Sequence, residues 1–123
     1  MATLTPAVPE SLPPHELRNA MKRSLKETLE HMDSDEYVFA LDELPEAERN
    51  AALITRGDIY RAWRKLSNQE LAEIRDQLVE NEPALRAATE SLDEALKDLS
   101  KVTKILNAAT TFLAIASKAI TIL

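Results

Sequence analysis

The side chains that could carry acid–base or metal chemistry are few in this sequence. Its two histidines, His15 and His31, are the residues that ordinarily titrate near neutral pH. Glu27 lies four residues before His31, so one helical face could offer both side chains to a metal ion. The Glu-x-x-His spacing of di-iron bundles is absent, however, and there is no second ligand pair. We therefore interpret Glu27 and His31 as an ordinary surface pair and expect no metal site.

The acidic run at residues 33–36 raises the question of calcium binding. Asp33 and Asp35 have the spacing of the first two ligands of an EF-hand loop. The sixth loop position would then be Val38, where a glycine is required, and the twelfth would be Leu44, where a bidentate glutamate is required. We therefore predict that this run ends one helix and caps the next.

Motifs for catalysis and cofactor binding are missing as well. The chain has no cysteine, which excludes disulfides, thiolate nucleophiles and cysteine-based metal sites. Its one glycine, Gly57, cannot build a phosphate-binding loop. The hydroxyl side chains show no recognisable acid or base partner. The sequence therefore predicts a protein that is not an enzyme and needs no cofactor.

One cluster has the composition of a recognition surface. Tyr60, Trp63 and Arg64 are residue types that dominate the energetic hot spots of protein interfaces. Aromatic and arginine side chains also stack on nucleic-acid bases. A net charge of −6 argues against nucleic acid as the partner, because binding to phosphates needs a basic face. The alternative interpretation is that Trp63 anchors the core and its arginine neighbour only flanks it.

The elements that position these residues are predicted to be helices. Ala, Leu, Glu, Lys and Arg favour helices and are abundant, whereas one glycine in 123 residues is too few for the turns of a sheet protein. The predicted fold class is all-α, with short helices folded against a long heptad-patterned C-terminal helix, as in a helical bundle or an antiparallel coiled coil. We expect one domain overall.

The first half of the chain is predicted to contain an arm and several short helices. Residues 1–13 hold three of the six prolines and are expected to form an extended, mobile arm. The short-helix region covers residues 14–66. Its apolar spacing predicts a helix over about 14–32, and Gly57 is expected to separate two later helices from each other.

The second half, residues 67–123, is organised by an apolar residue at every seventh position. We call this set the Leu/Ala seam; it consists of Leu71, Leu78, Leu85, Leu92, Leu99, Leu106, Leu113 and Ile120, with Ala88, Ala95, Ala109 and Ala116 three residues after four of them. Such spacing predicts helix-on-helix packing, and the small alanines favour close antiparallel neighbours. Pro83 is expected to divide a helical hairpin or to kink one long helix, with the second part running from 83 to 123.

The expected function follows from the length of that second helix. The shorter helices could not cover it fully, so an apolar face should remain for another chain. The leading hypothesis is a non-enzymatic helical protein–protein interaction or oligomerisation module, which binds itself or a helical partner through the Leu/Ala seam.

The C-terminal segment supports a second hypothesis. Residues 99–123 contain lysines but no acidic residue, and Lys104 and Lys118 lie opposite a broad apolar face that includes Phe112. A basic amphipathic helix of this kind can lie on an anionic membrane surface. The alternative function is therefore a membrane-associated protein of the toxin, immunity or phage type. The N-terminus lacks the pattern of a secretory signal, so we expect the cytoplasm of a bacterium-like cell or the inner face of its membrane.

Overall fold

The computed structural model describes residues 11–120, and these residues form six α-helices and no β-strand. The all-α fold class is thereby confirmed. The proline-rich arm predicted for residues 1–13 lies outside the described residues except for its last three. The helices are α1 (Pro14–His31), α2 (Asp35–Asp42), α3 (Glu46–Asn68), α4 (Leu71–Glu80), α5 (Glu82–Ala95) and α6 (Val102–Ala116).

Helices α1 and α3 run antiparallel. At the start of α1, a guanidinium N–H of Arg18 donates to the backbone carbonyl of Gln69, just beyond the end of α3, at 3.1 Å. Just beyond the other end of α1, Asp33 forms an ion pair with Arg56 in the middle of α3, at 2.7 Å. These two contacts show the direction and the register of the pair.

Helices α1 and α5 run parallel. The backbone N–H of Leu12, before α1, donates to Glu82 at the start of α5, at 3.1 Å. Farther along both helices, the Ser24 hydroxyl donates to the carboxylate of Asp93. Helix α4 connects α3 to α5 and packs against α1, and α6 folds back on α5 and also contacts α3. Helices α1, α3, α6 and α5 therefore surround one core.

The core is built from the apolar faces of these helices. On α1, Leu17, Met21 and Leu25 are completely buried, because spacings of four residues keep them on one side of the helix. The other large side chains with less than 2% exposure are Ile59, Leu66, Ile74, Leu78, Leu85, Leu92, Ile105 and Phe112. All of these residues belong to one continuous cluster, so the described residues fold around a single core.

The helix break predicted at Gly57 is wrong. Helix α3 continues through this residue, and Gly57 does not have a positive φ. Glycine in a helix interior costs roughly 0.5–1 kcal/mol relative to alanine. Ala52 before it, and Ile59 and Leu66 after it, are all buried on the same face of α3, so packing outweighs that cost. Helix α4 begins after Glu70, whose backbone N–H donates to the side chain of Glu73 at 3.1 Å.

The long helix predicted for residues 83–123 is not found. Pro83 lies in the first turn of α5, as expected for a proline that starts a helix. The helix then ends at Ala95, and α6 begins only at Val102. In the intervening turn, the Asp98 carboxylate accepts the backbone N–H of Ser100 at 3.1 Å and its hydroxyl at 2.6 Å. These local hydrogen bonds stabilise a turn in place of a continuing helix. The heptad pattern is therefore divided among α4, α5 and α6.

A buried carboxylate at the start of α5 makes folding sensitive to acid. Glu82 is 4% exposed, and its Oε2 accepts Nε–H of Arg86 at 2.7 Å as well as the N–H of Leu12. The hydrogen bond from Arg86 lowers the pKa of Glu82, with a smaller contribution from Leu12, whereas burial acts in the opposite direction. A carboxylate whose pKa is lowered by folding stabilises the fold at pH values above its unfolded pKa of about 4.3. This contribution is lost as the pH falls through the pKa of the folded state.

Glu82→Gln is therefore expected to lower the free energy of unfolding at neutral pH but not in acid. The difference between the wild type and the variant should shrink as the pH falls from the unfolded pKa of about 4.3 through the lower folded pKa of Glu82. Urea unfolding at a series of pH values measures it. Glu90→Gln, which changes an exposed carboxylate of the same helix, is the control. The prediction would be contradicted if the difference in the free energy of unfolding between the wild type and Glu82→Gln did not change with pH.

Candidate functional site

The Leu/Ala seam lies inside the chain and not on its surface. Leu78, Leu85, Leu92 and Ile120 are buried, as are all four of its alanines. Leu71, Leu99, Leu106 and Leu113 are partly buried and pack against the same core. The turn at residues 96–101 folds α6 back onto α5, so the two halves of the repeat cover each other. Self-association was inferred from an apolar face that the chain was expected to leave uncovered. In the structure the chain itself covers that face.

The predicted membrane or partner face is also divided by the fold. Phe112 is completely buried together with Ile105 and Ala109, so it does not share a free surface with the lysines. Lys104 and Lys118 are exposed. Within residues 11–120, no helix combines the length and the apolar character needed to cross a membrane.

The predicted recognition cluster lies partly at the surface. The rings of Tyr60 and Trp63 are stacked, with centroids 6.3 Å apart and planes at 28°. The guanidinium carbon of Arg64 lies 5.9 Å from the centroid of the Tyr60 ring. Tyr60 is 47% exposed and Arg64 is exposed, whereas Trp63 is half-buried and packs against the core. Trp63 thus holds the cluster to the bundle, while the other two side chains face outward.

An open groove lies beside this cluster, between α1 and α3. We call it the α1–α3 groove; it has a volume of about 530 Å³ and is lined by Leu29, Leu53, Arg56, Gly57 and Tyr60. Leu53 is 65% exposed, so much of its side chain is accessible from the groove. The predicted break at Gly57 concealed this groove, because Leu53, Gly57 and Tyr60 share one face only when the helix is continuous.

Nothing within the described chain requires a glycine at position 57. A Cβ atom added there would meet only the flexible end of Arg61, at 3.6 Å and 3.8 Å, which is ordinary contact. The backbone conformation is one that any residue can adopt. Gly57 therefore weakens α3 without a benefit to the packing of the bundle, and it leaves space for a side chain where it lines the groove.

The charges around the groove are mainly positive. Arg56 is paired with Asp33, and its hydrogen bond is the main reason that the pKa of Asp33 is lowered. Lys22, Lys26 and Arg64, by contrast, have no carboxylate within 4.0 Å among the described residues. Three cationic side chains are therefore free to meet acidic groups on another molecule.

The two histidines, which are candidate metal ligands, lie at opposite ends of α1. His15 is exposed at the start of α1, and His31 is half-buried at its end. Within residues 11–120, no three histidine or carboxylate side chains come together as they would around a metal ion. The α1–α3 groove combines a concave shape, exposed apolar side chains and nearby cations. A comparison with protein-family models, curated proteins and solved structures finds no significant match to this chain.

Proposed function

We propose that this chain is a non-enzymatic helical protein–protein interaction module and that the α1–α3 groove is its binding surface. The observation that carries the proposal is the exposure of Leu53 and Tyr60 at the edge of an apolar groove. Concave apolar surfaces with a few polar groups are typical binding surfaces. Tyrosine and arginine beside such a surface bury area and still form hydrogen bonds, and Arg64 is adjacent to Tyr60 here.

The groove is a better candidate than the Leu/Ala seam. Association through the seam would first have to remove side chains such as Leu85 and Leu92 from the core. Exposing one such side chain costs about 1.5–3 kcal/mol before any new contact forms. The groove side chains are already accessible, so a partner can bury them without this cost.

A membrane-surface role for α6 has weaker support. Its most apolar residues, including Phe112, are committed to the core, so little apolar area remains for lipid. The exposed side of α6 carries Thr103, Lys104 and Thr111. Lysines alone give only weak attraction to an anionic surface unless an apolar face is buried with them.

The proposed function predicts that Leu53→Glu prevents partner binding while the fold remains intact. A charged side chain in an apolar contact would reduce affinity about thirtyfold or more, as at other hot spots. Leu53 is largely exposed in the free chain, so its replacement should change the free energy of unfolding by less than about 0.5 kcal/mol. Affinity purification of the tagged full chain from its native host, with urea unfolding in parallel, measures both effects.

Ile54→Glu is the matched control for this experiment. Ile54 is 66% exposed, against 65% for Leu53, but it points about 100° away around the helix and does not line the groove. We expect proteins that co-purify with the wild type to be retained by Ile54→Glu and lost from Leu53→Glu. Equal retention by both variants would contradict the proposed function.

A further inference from the structure

The ends of the α1–α3 groove differ in charge. The contacts Arg18–Gln69 and Asp33–Arg56 place the middle of α1 beside the second half of α3. Lys22 and Lys26 belong to that middle part of α1 and therefore lie level with the stretch of α3 that carries Arg64.

The lysines and the groove share one side of α1. Lys22, Lys26 and Leu29 follow each other at spacings of four and three residues, so they project from the same side of the helix. Leu29 lines the groove. On α3, Arg64 lies four residues after Tyr60 and continues the face formed by Leu53, Gly57 and Tyr60. The groove therefore has an apolar centre and a basic end.

The opposite end of the same α3 face is acidic. Glu46 lies seven residues before Leu53 and is exposed. A bound segment would consequently meet a carboxylate at one end and three cations at the other. Such an arrangement distinguishes the two directions in which an elongated partner could lie.

Gly57 indicates that the bound segment is a helix. Small residues at a crossing point allow two helix axes to approach closely, and glycine allows the closest approach. Gly57 lines the groove between Leu53 and Tyr60, at a position where the bundle itself has no need of a glycine.

We infer, on the basis of the proposed function, that the groove binds an amphipathic helix of a partner protein, with acidic residues facing Lys22, Lys26 and Arg64. The apolar residues of that helix pack on Leu29, Leu53 and Tyr60, and its backbone crosses α3 at Gly57. A second copy of this chain is a poorer occupant, because its α3 face would bring only one carboxylate, that of Glu46, towards three cations.

Photo-crosslinking in the native host tests this inference on the full chain. A photoreactive p-benzoylphenylalanine replaces Leu53, and in the control it replaces Ile54. The expected result is an adduct at position 53 in excess of the control, on an acidic amphipathic helix of another protein. An adduct on a second copy or on an acid-poor protein surface would overturn the inference. The proposed function as an interaction module would still stand. An adduct on nucleic acid, or no excess over the control, would overturn the proposed function as well.

Two substitutions then test the geometry with the purified partner. Lys26→Glu is expected to weaken binding roughly tenfold, with recovery when a facing acid of the partner is changed to lysine. Lys65→Glu, an exposed cation that lies on another side of α3, is the control and should bind as the wild type does. Unchanged binding by Lys26→Glu would overturn the charge pairing.

Gly57→Ala separates stability from binding. The alanine should raise the Tm of the free chain by about 2–5 °C, because it favours the helix and meets no obstacle. The same methyl group should weaken the binding of the partner helix about tenfold, because it holds the two helices apart. A stabilised variant with unchanged affinity would overturn the close crossing at Gly57.

Discussion

Phe112→Ala is expected to lower the free energy of unfolding by about 3–5 kcal/mol, which is the usual range for a phenylalanine removed from a core. Phe112 has no exposed surface and is the largest of the fully buried side chains. A small domain has a total stability of about 5–15 kcal/mol, so this loss would be a large fraction of it. The effect requires no membrane and no partner, because the Phe112 ring packs against the rest of the bundle.

Urea unfolding of the isolated chain measures this effect, and Thr111→Ala is its control. Thr111 is the neighbouring residue on α6 but is exposed, so its replacement should change the stability by less than about 0.5 kcal/mol. The comparison also separates two interpretations of the C-terminal segment. A Phe112 side chain that served lipid or a partner would leave the stability unchanged when truncated, and this outcome would contradict the packing of α6 described above.

Leu92→Ala is expected to lower the free energy of unfolding by about 2–5 kcal/mol, with the same loss at every chain concentration. Leu92 is completely buried in α5 and belongs to the Leu/Ala seam. Because the seam is covered within one chain, the wild type and the variant should each unfold without dependence on concentration. In a dimer built through the seam, a hundredfold increase in concentration would add about 2.7 kcal/mol of stability.

The matched control for Leu92→Ala is Ser91→Ala, at the neighbouring exposed position of α5. We expect it to have little effect on unfolding. Sedimentation of the wild type at the concentrations used for unfolding provides the second readout. Stability that rises with concentration, with loss of the larger species in Leu92→Ala, would restore the seam as an interface between chains.

Much of the secondary structure could be predicted because its causes are local. The apolar spacing of Leu17, Met21 and Leu25 predicts α1 nearly to its observed ends. Ser34 caps α2 by accepting the N–H of Tyr37 at 3.2 Å, which supports interpretation of the acidic run as a helix boundary. Pro83 marks the start of α5 because its ring fits the first turn of a helix and its missing N–H is not needed there.

The errors arise where distant contacts outweigh local preference. Gly57 is a helix breaker by propensity, but α3 is held on both sides of it by buried residues such as Ala52 and Ile59. Around Asp98 the opposite occurs, since the regular heptad pattern predicts a helix while the side chain stabilises a turn. Both errors affect the candidate site: the first concealed the α1–α3 groove, and the second made the Leu/Ala seam seem uncovered.

The sequence by itself determined the fold class and the apolar face of most helices, because helix propensity and side-chain spacing depend on residues a few positions apart. Only the tertiary structure decided which of those faces are covered. The Leu/Ala seam could have met another chain or its own, and the fold of α6 onto α5 uses it for the core. Leu53 could have been a core residue, and the placement of α3 leaves it exposed beside Leu29 and Tyr60. Coverage depends on contacts between residues far apart in the chain, and a repeat pattern carries no information about which partner supplies them.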